Sequence, residues 1–258
     1  MKIYRNTDQI EGEKPVLTPF PADGDRNKGS VLIFPGGGYE HVSLLKEGSD
    51  IALSFNAEGF NAFVLDYRVS PFTGKDFLMD AVWAVRTVKE FIRKNGFRNE
   101  RLAVMGFSAG GHLALMETQH WNEAEAGSDD ISRIDARPDA LLLCYPVVTF
   151  EEPYAHQGCR KNFLGKAAGD PELIRKYSAE KHITPSFPPV FAWHCEADRS
   201  VPVENSLMLR DALDRAGVEN RMVIYPGGAH GLGLARDDRT ISGWFHACVG
   251  WLESVFSK

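Results

Sequence analysis

Short apolar runs alternate with amphipathic stretches along almost the whole chain, and that alternation leaves few folds open. The runs at 31–34, 62–66, 102–106, 140–145, 190–194 and 221–225 are rich in Val, Ile, Leu and Phe. Continuous apolar character suits strands covered on both faces. Stretches with helical periodicity lie between them, at 46–58, 77–94, 109–119, 203–216 and 242–256. In 77–94, Leu78, Val82, Val85, Val88 and Ile92 recur on one face with charges between them, and Gly96 follows as a stop. Strand and helix in repetition predict the α/β class, with a mostly parallel central sheet and helices on both faces. Residues up to about Pro21 are expected to add one or two antiparallel edge strands.

The 258 residues hold no repeat and no low-complexity linker, so 1–258 reads as a single domain. One segment departs from the alternation. Residues 150–189 are long for a connection between consecutive strands, contain one helix-like stretch at 171–177, and end in Pro185, Pro188 and Pro189. The expectation is a lid or pocket wall.

A net charge of −6 speaks against a nucleic-acid partner, which needs a basic face. No apolar run reaches the roughly 18 residues of a membrane span, and residues 1–10 are polar, without the core of a signal peptide. A cytoplasmic location without membrane contact is expected. Cys144, Cys159, Cys195 and Cys248 form no CxxC pair, so they are expected to be reduced, with no metal site.

The chemistry is written most plainly at 106–110, Gly-Phe-Ser-Ala-Gly, between an apolar run and a helical stretch. A serine on a tight strand-to-helix turn has its hydroxyl lifted clear of the sheet, and the glycines two residues to either side admit the close backbone approach. The helix N-terminus that follows aims N–H groups at developing negative charge. Ser108 is therefore the candidate nucleophile. The run at 31–34 leads into Pro35, Gly36, Gly37 and Gly38. Bare glycine N–H groups suit an oxyanion, and Gly37, Gly38 and Ala109 are the candidate donors. A phosphate loop is the competing reading, but neither GxxxxGK[ST] nor GxGxxG is present.

A serine hydroxyl needs a base. Of eight histidines, His230 stands out, in a glycine-rich loop after the last apolar run. The chain order Ser…Asp…His puts the base there. His112, one helical turn after Ser108, reads as structural, and His194, ending a run, as packed or hydrogen-bonded. The acid should follow the preceding run, where Asp198 and Glu196 compete.

These motifs resemble a known family. Pro-Gly-Gly-Gly-Tyr (35–39), Asp-Tyr-Arg (66–68), Gly-Phe-Ser-Ala-Gly-Gly-His-Leu (106–113), Asp-Arg-Ser-Val-Pro (198–202) and Gly-Gly-Ala-His-Gly-Leu-Gly (227–233) occur in the order seen in α/β-hydrolase esterases. The chain is similar to bacterial acetyl xylan esterases and related carbohydrate esterases from about residue 15 onward. The resemblance implies the α/β-hydrolase fold, a triad of Ser108, Asp198 and His230, and oxyanion donors at Gly37, Gly38 and Ala109. It favours Asp198 over Glu196 and implies a support pair, Arg68 and Asp80. Pro35 stands where hormone-sensitive-lipase-like enzymes have a histidine, so the chain is not placed in that subgroup.

The expected reaction is acyl transfer through a Ser108 acyl-enzyme, without metal or organic cofactor, on a small-molecule or oligosaccharide ester. Short acyl groups, acetyl above all, are expected, in part as the resemblance to carbohydrate acetyl esterases implies and in part because 150–189 is polar and offers no broad apolar face. Tyr39, His41 and Tyr154 are the candidate substrate contacts; Trp193, inside an apolar run, reads better as core. An arylformamidase, a small peptidase-like hydrolase and a non-catalytic binding protein on the same scaffold are the alternatives.

Overall fold

The computed structural model of the chain describes residues 3–4, 14–22, 27–123 and 130–258. Most of 1–10, read above for a leader, lies outside them. Among the described residues eight strands form one sheet: β1 (Ile3–Tyr4), β2 (Val16–Phe20), β3 (Ser30–Phe34), β4 (Asn61–Asp66), β5 (Leu102–Phe107), β6 (Ala140–Cys144), β7 (Val190–Cys195) and β8 (Asn220–Tyr225). Their order is β1-β2-β4-β3-β5-β6-β7-β8. Strands β3 to β8 are parallel, and β1 and β2 add the expected antiparallel edge. Each of the six runs read from the sequence is a strand with its ends moved by no more than one residue.

Helices cover both faces: α1 (Asp50–Ala57), α2 (Gly74–Lys94), α3 (Ala109–His120), α4 (Gln157–Leu164), α5 (Pro171–Lys176), α6 (Glu204–Ala216) and α7 (Trp244–Phe256). The pleat divides each strand between two cores. Leu32 and Phe34 of β3 join Val85, Leu113 and Leu209 from α2, α3 and α6. Val31 and Ile33 join Ile51, Phe55 and Trp244 from α1 and α7. Every residue of β3, β5, β6 and β7 is buried, which is why these strands are continuously apolar. Burying each such large side chain contributes roughly 1.5–3 kcal/mol.

The helices depart from the sequence expectation at three places. Helix α2 starts at Gly74 rather than 77, because the Asp76 carboxylate accepts the Thr73 N–H at 3.1 Å and so caps an extra turn. The stretch read as a helix over 46–58 is a π-helical turn, Leu45–Ser49, followed by α1. Helix α4 was not anticipated: its Gly158 and its polar residues hide the buried stripe of Cys159, Phe163 and Leu164.

Because β3, β5, β7 and β8 run parallel, the loops that follow them leave the same edge of the sheet. Those loops carry the glycine run, Ser108, Asp198 and His230. Among the described residues, no helix is long and apolar enough to cross a membrane. The four cysteines are free and buried.

Candidate active site

Ser108 joins β5 to α3 with φ +52° and ψ −117°, a backbone state that costs a non-glycine residue about 1–3 kcal/mol. The surroundings hold it there. Its N–H donates to the Cys144 carbonyl at 3.0 Å, and its carbonyl accepts from the Val147 N–H at 3.1 Å. The flanking glycines are demanded by contact: a Cβ on Gly110 would stand 2.0 Å from the Phe34 carbonyl oxygen, and one on Gly106 would stand 2.3 Å from that of Gly110.

The turn delivers the hydroxyl to His230. Ser108 Oγ lies 2.8 Å from His230 Nε2, and His230 Nδ1 lies 2.6 Å from Asp198 Oδ2. Asp198 Oδ1 accepts from the N–H groups of Ser200 and Val201 at 2.9 and 3.0 Å. Burial raises the Asp198 carboxyl, but hydrogen bonds from His194 and His230 outweigh it and hold the group well below the usual carboxylate range. A permanent carboxylate selects the His230 tautomer with the proton on Nδ1, leaving Nε2 to accept from Ser108. Glu196, the competitor for this role, is exposed.

His194 is fully buried, with Nδ1 2.8 Å from Ser206 Oγ and Nε2 3.0 Å from the Val201 carbonyl and 3.2 Å from Asp198 Oδ2. It is the packed, hydrogen-bonded residue expected from its place in the strand, and it also braces the acid.

The glycine loop lies against this turn: a Cβ on Gly36 would stand 2.9 Å from Ser108 Cβ. The N–H groups of Gly37, Gly38 and Ala109 donate to no backbone carbonyl among the described residues. Tyr67 donates its hydroxyl to the Pro35 carbonyl at 2.7 Å, and Asn162 of α4 donates its amide to the Gly38 carbonyl at 2.9 Å. Beside Tyr67, Arg68 binds Asp80 through Nη2 at 2.7 Å and through Nε at 2.9 and 3.1 Å, with both side chains buried. The anticipated support pair is thus formed.

The expected substrate contacts fare unevenly. Tyr39 is a correction. It is fully buried, stacks on Phe77 with ring centroids 4.7 Å apart, and bonds His112 Nδ1 at 2.9 Å. Its positive φ of 60° belongs to the turn that directs the ring into the core instead of the cleft. His41 is exposed beside Gly37, and Tyr154 is half-buried. Trp193 is fully buried and stacks on Trp244, as its strand position suggested.

Glu47, Tyr145, His156 and Asn162 carry no motif that marks them as site residues. His156 caps α4 by accepting the Cys159 N–H on Nδ1 at 3.0 Å, so its proton sits on Nε2. Burial, and then the nearby His230, push His156 below the usual histidine range. The polar character of 150–189 was the only signal for it.

His112 is structural, as expected. It accepts from Tyr39 on Nδ1 and donates from Nε2 to the Tyr177 carbonyl at 2.9 Å. Burial lowers it from 6.5 to about 4. Between those values the unfolded chain binds a proton that the folded chain does not. Stability is therefore full above pH 6.5 and falls by about 3 kcal/mol as pH drops towards 4. Urea midpoints at pH 7.5 and 4.5 check this: His112→Gln is expected to start lower and lose less.

A mostly parallel sheet that carries a serine on a strained strand-to-helix turn, then an Asp, then a His, on loops of one edge defines an α/β hydrolase. The chain belongs to the BD-FAE family, whose model matches residues 20–213. Ser108 and Asp198 lie inside that match and His230 beyond it. The chain is 38% identical to an acetyl ester-xyloside bifunctional hydrolase from Caldicellulosiruptor lactoaceticus, with a TM-score of 0.89 over 97% of this chain and 94% of that one. It is 31% identical to an acetylxylan esterase of Xylanibacter ruminicola over 88% of its own length, and 34% identical to endo-1,4-beta-xylanase B of Butyrivibrio fibrisolvens over 93%. It spans only 45% and 38% of the length of those two relatives.

Proposed function

We propose that the chain is a serine carboxylic-ester hydrolase that removes short acyl groups, acetyl above all, from carbohydrate esters. The observation that carries the reading is the bonded series from Ser108 Oγ through His230 to Asp198, at 2.8 and 2.6 Å. In this cycle His230 takes the Ser108 proton as Oγ attacks the ester carbonyl. The N–H groups of Gly37, Gly38 and Ala109 stabilise the oxyanion, each donor contributing about 3 kcal/mol to the transition state. His230 returns the proton to the departing alcohol, and water then releases the acid from Ser108 by the same route. These steps need no metal or organic cofactor.

The short-acyl preference rests on two supports. The first is the acetyl-ester relatives. The second is the wall formed by 150–189, which is packed into the body of the fold. Its Phe163 is buried among Tyr39, Phe77, His112, Phe150 and Tyr177. Its exposed residues include Glu152, Gln157, Lys161 and Lys166, and the exposed large hydrophobics of the described chain, Leu44, Leu45 and Leu53, all lie elsewhere. Such a wall offers little to a long acyl chain and several partners to sugar hydroxyls. We assign those contacts to Tyr154, His41 and the Nε2–H of His156.

A series of p-nitrophenyl esters is expected to show rates highest at acetate and falling steadily with chain length, and acetylated xylo-oligosaccharide is expected to release acetate. A maximum at eight carbons or more would overturn the short-acyl reading. Acetate release from p-nitrophenyl acetate but from no acetylated sugar would remove the carbohydrate. An N-formyl arylamide in the same panel is expected to be the poorer substrate.

A further inference from the structure

Two separate loops must meet at Ser108, and one buried side chain lies between their supports. Glu47 is 5% exposed, although it sits in a surface turn between exposed Lys46 and half-exposed Ser49. The wider winding of the π-helical turn Leu45–Ser49 brings it inside. Its Oε2 accepts the Gly36 N–H at 2.9 Å, and its Oε1 accepts the Tyr145 hydroxyl at 2.7 Å. The Tyr145 oxygen in turn accepts the Gly233 N–H at 3.0 Å. Gly36 precedes the oxyanion glycines, and Gly233 stands three residues after His230.

The donors and acceptors allow one direction only. Gly233 N–H gives to Tyr145, Tyr145 O–H gives to Glu47, and Gly36 N–H gives to Glu47 from the other side. Tyr145 is built for this place. It ends β6 at a positive φ of 39°, and its ring meets the His230 ring with centroids 4.9 Å apart at 64°. Burial, together with the neighbouring Glu47, pushes its phenol well above the usual range, so the hydroxyl keeps the proton it donates. A Cβ on Gly36 would stand 2.7 Å from Glu47 Oε2 and 2.9 Å from the Phe107 carbonyl oxygen, and the main chain of Phe107 cannot swing aside as a side chain can, so the fit at that end favours glycine.

We infer that Glu47 and Tyr145 are positioning residues that couple the oxyanion loop to the His230 loop, setting the distance between the oxyanion donors and the base. The inference rests on the functional reading given above. Neither residue touches substrate. Their contribution is to hold two halves of one transition-state site at a fixed separation, so their loss should fall on kcat. Misplacement by about 1 Å is enough for a hundredfold loss.

Glu47→Gln discriminates well. The amide has one oxygen and one NH2, so it cannot accept from Gly36 and Tyr145 at once. Tyr145→Phe keeps the ring against His230 and removes the bridging oxygen. Each is expected to lower kcat for p-nitrophenyl acetate roughly tenfold to hundredfold, with KM within about threefold. Affinity for an alkyl boronic acid, whose tetrahedral Ser108 adduct occupies the oxyanion site, should fall in parallel with kcat. The double variant should be no more than about threefold worse than the poorer single one, because both cut the same link. Folded variants with wild-type kcat, a loss confined to KM, or losses that multiply in the double variant would overturn the inference. Should Glu47→Gln fail to fold, the smaller Tyr145→Phe change decides alone, by kcat and boronate affinity together. An inactive wild-type chain would remove the functional reading and this inference with it; an active one with unchanged variants removes only the inference.

Discussion

Ser108→Ala is expected to yield a folded protein whose esterase activity is lower by about four to six orders of magnitude. Ser108 Oγ is the atom 2.8 Å from His230 Nε2, and alanine removes that atom and little else. The backbone at φ +52° is no harder for alanine than for serine, and the hydrogen bonds that hold the turn, to Cys144 and from Val147, are made by the main chain. The thermal midpoint should therefore stay within a few degrees of the parent. The measurement is turnover of p-nitrophenyl acetate beside a melting curve. Activity within tenfold of the parent in a folded Ser108→Ala chain would end the acyl-enzyme mechanism.

The second large effect is expected at the acid. Asp198→Asn should cost about 10⁴ in kcat, whereas Glu196→Gln should change it less than about twofold. Asp198 Oδ2 is the acceptor for His230 Nδ1 at 2.6 Å and lies 3.2 Å from His194 Nε2. An asparagine can satisfy one of these donors with its oxygen or turn its NH2 towards them, and either way His230 loses the charge that stabilises its protonated form. Glu196 sits two residues earlier on the exposed side of the loop. The linkage has a definite sign. A carboxyl held below its unfolded value contributes stability above the unfolded pKa and loses it as pH falls towards the folded one. Equal damage from both substitutions would reopen the choice of acid.

The parts that the sequence shows most clearly are those where one residue does its work through local chain geometry. Strands β3 to β8 are readable because burial on both faces forces continuous apolar character. Ser108, Asp198 and His230 stand out because each follows a strand, and parallel strands bring their carboxyl ends to one edge. What the sequence conceals depends on winding and on distant partners. Tyr39 follows the glycines as a cleft aromatic would, yet a local turn sends it into the core. Glu47 falls in a stretch with ordinary helical patterning, and the π-helical turn that rotates it inward has no signal at a 3.6-residue period. Its partners lie 11 and 98 residues away, where no short-range pattern reaches. His156 and Asn162 depend on α4, whose buried stripe is too short to stand out.

The base hangs from the last strand of the sheet. Among the described residues strand β8 pairs with β7 alone, and all of its residues keep contact with solvent. Edges with few buried contacts detach more readily than the centre of a sheet. A partial opening that peels β8 from β7 would carry His230 away while the strands behind Ser108 stay paired. Two bonds at Gly233 tether the loop to elements other than β7, from its N–H to Tyr145 and from Trp244 to its carbonyl, each 3.0 Å. Heat inactivation is therefore expected to begin at this margin, below the temperature at which the sheet as a whole melts, and residual hydrolysis followed beside a melting curve checks it.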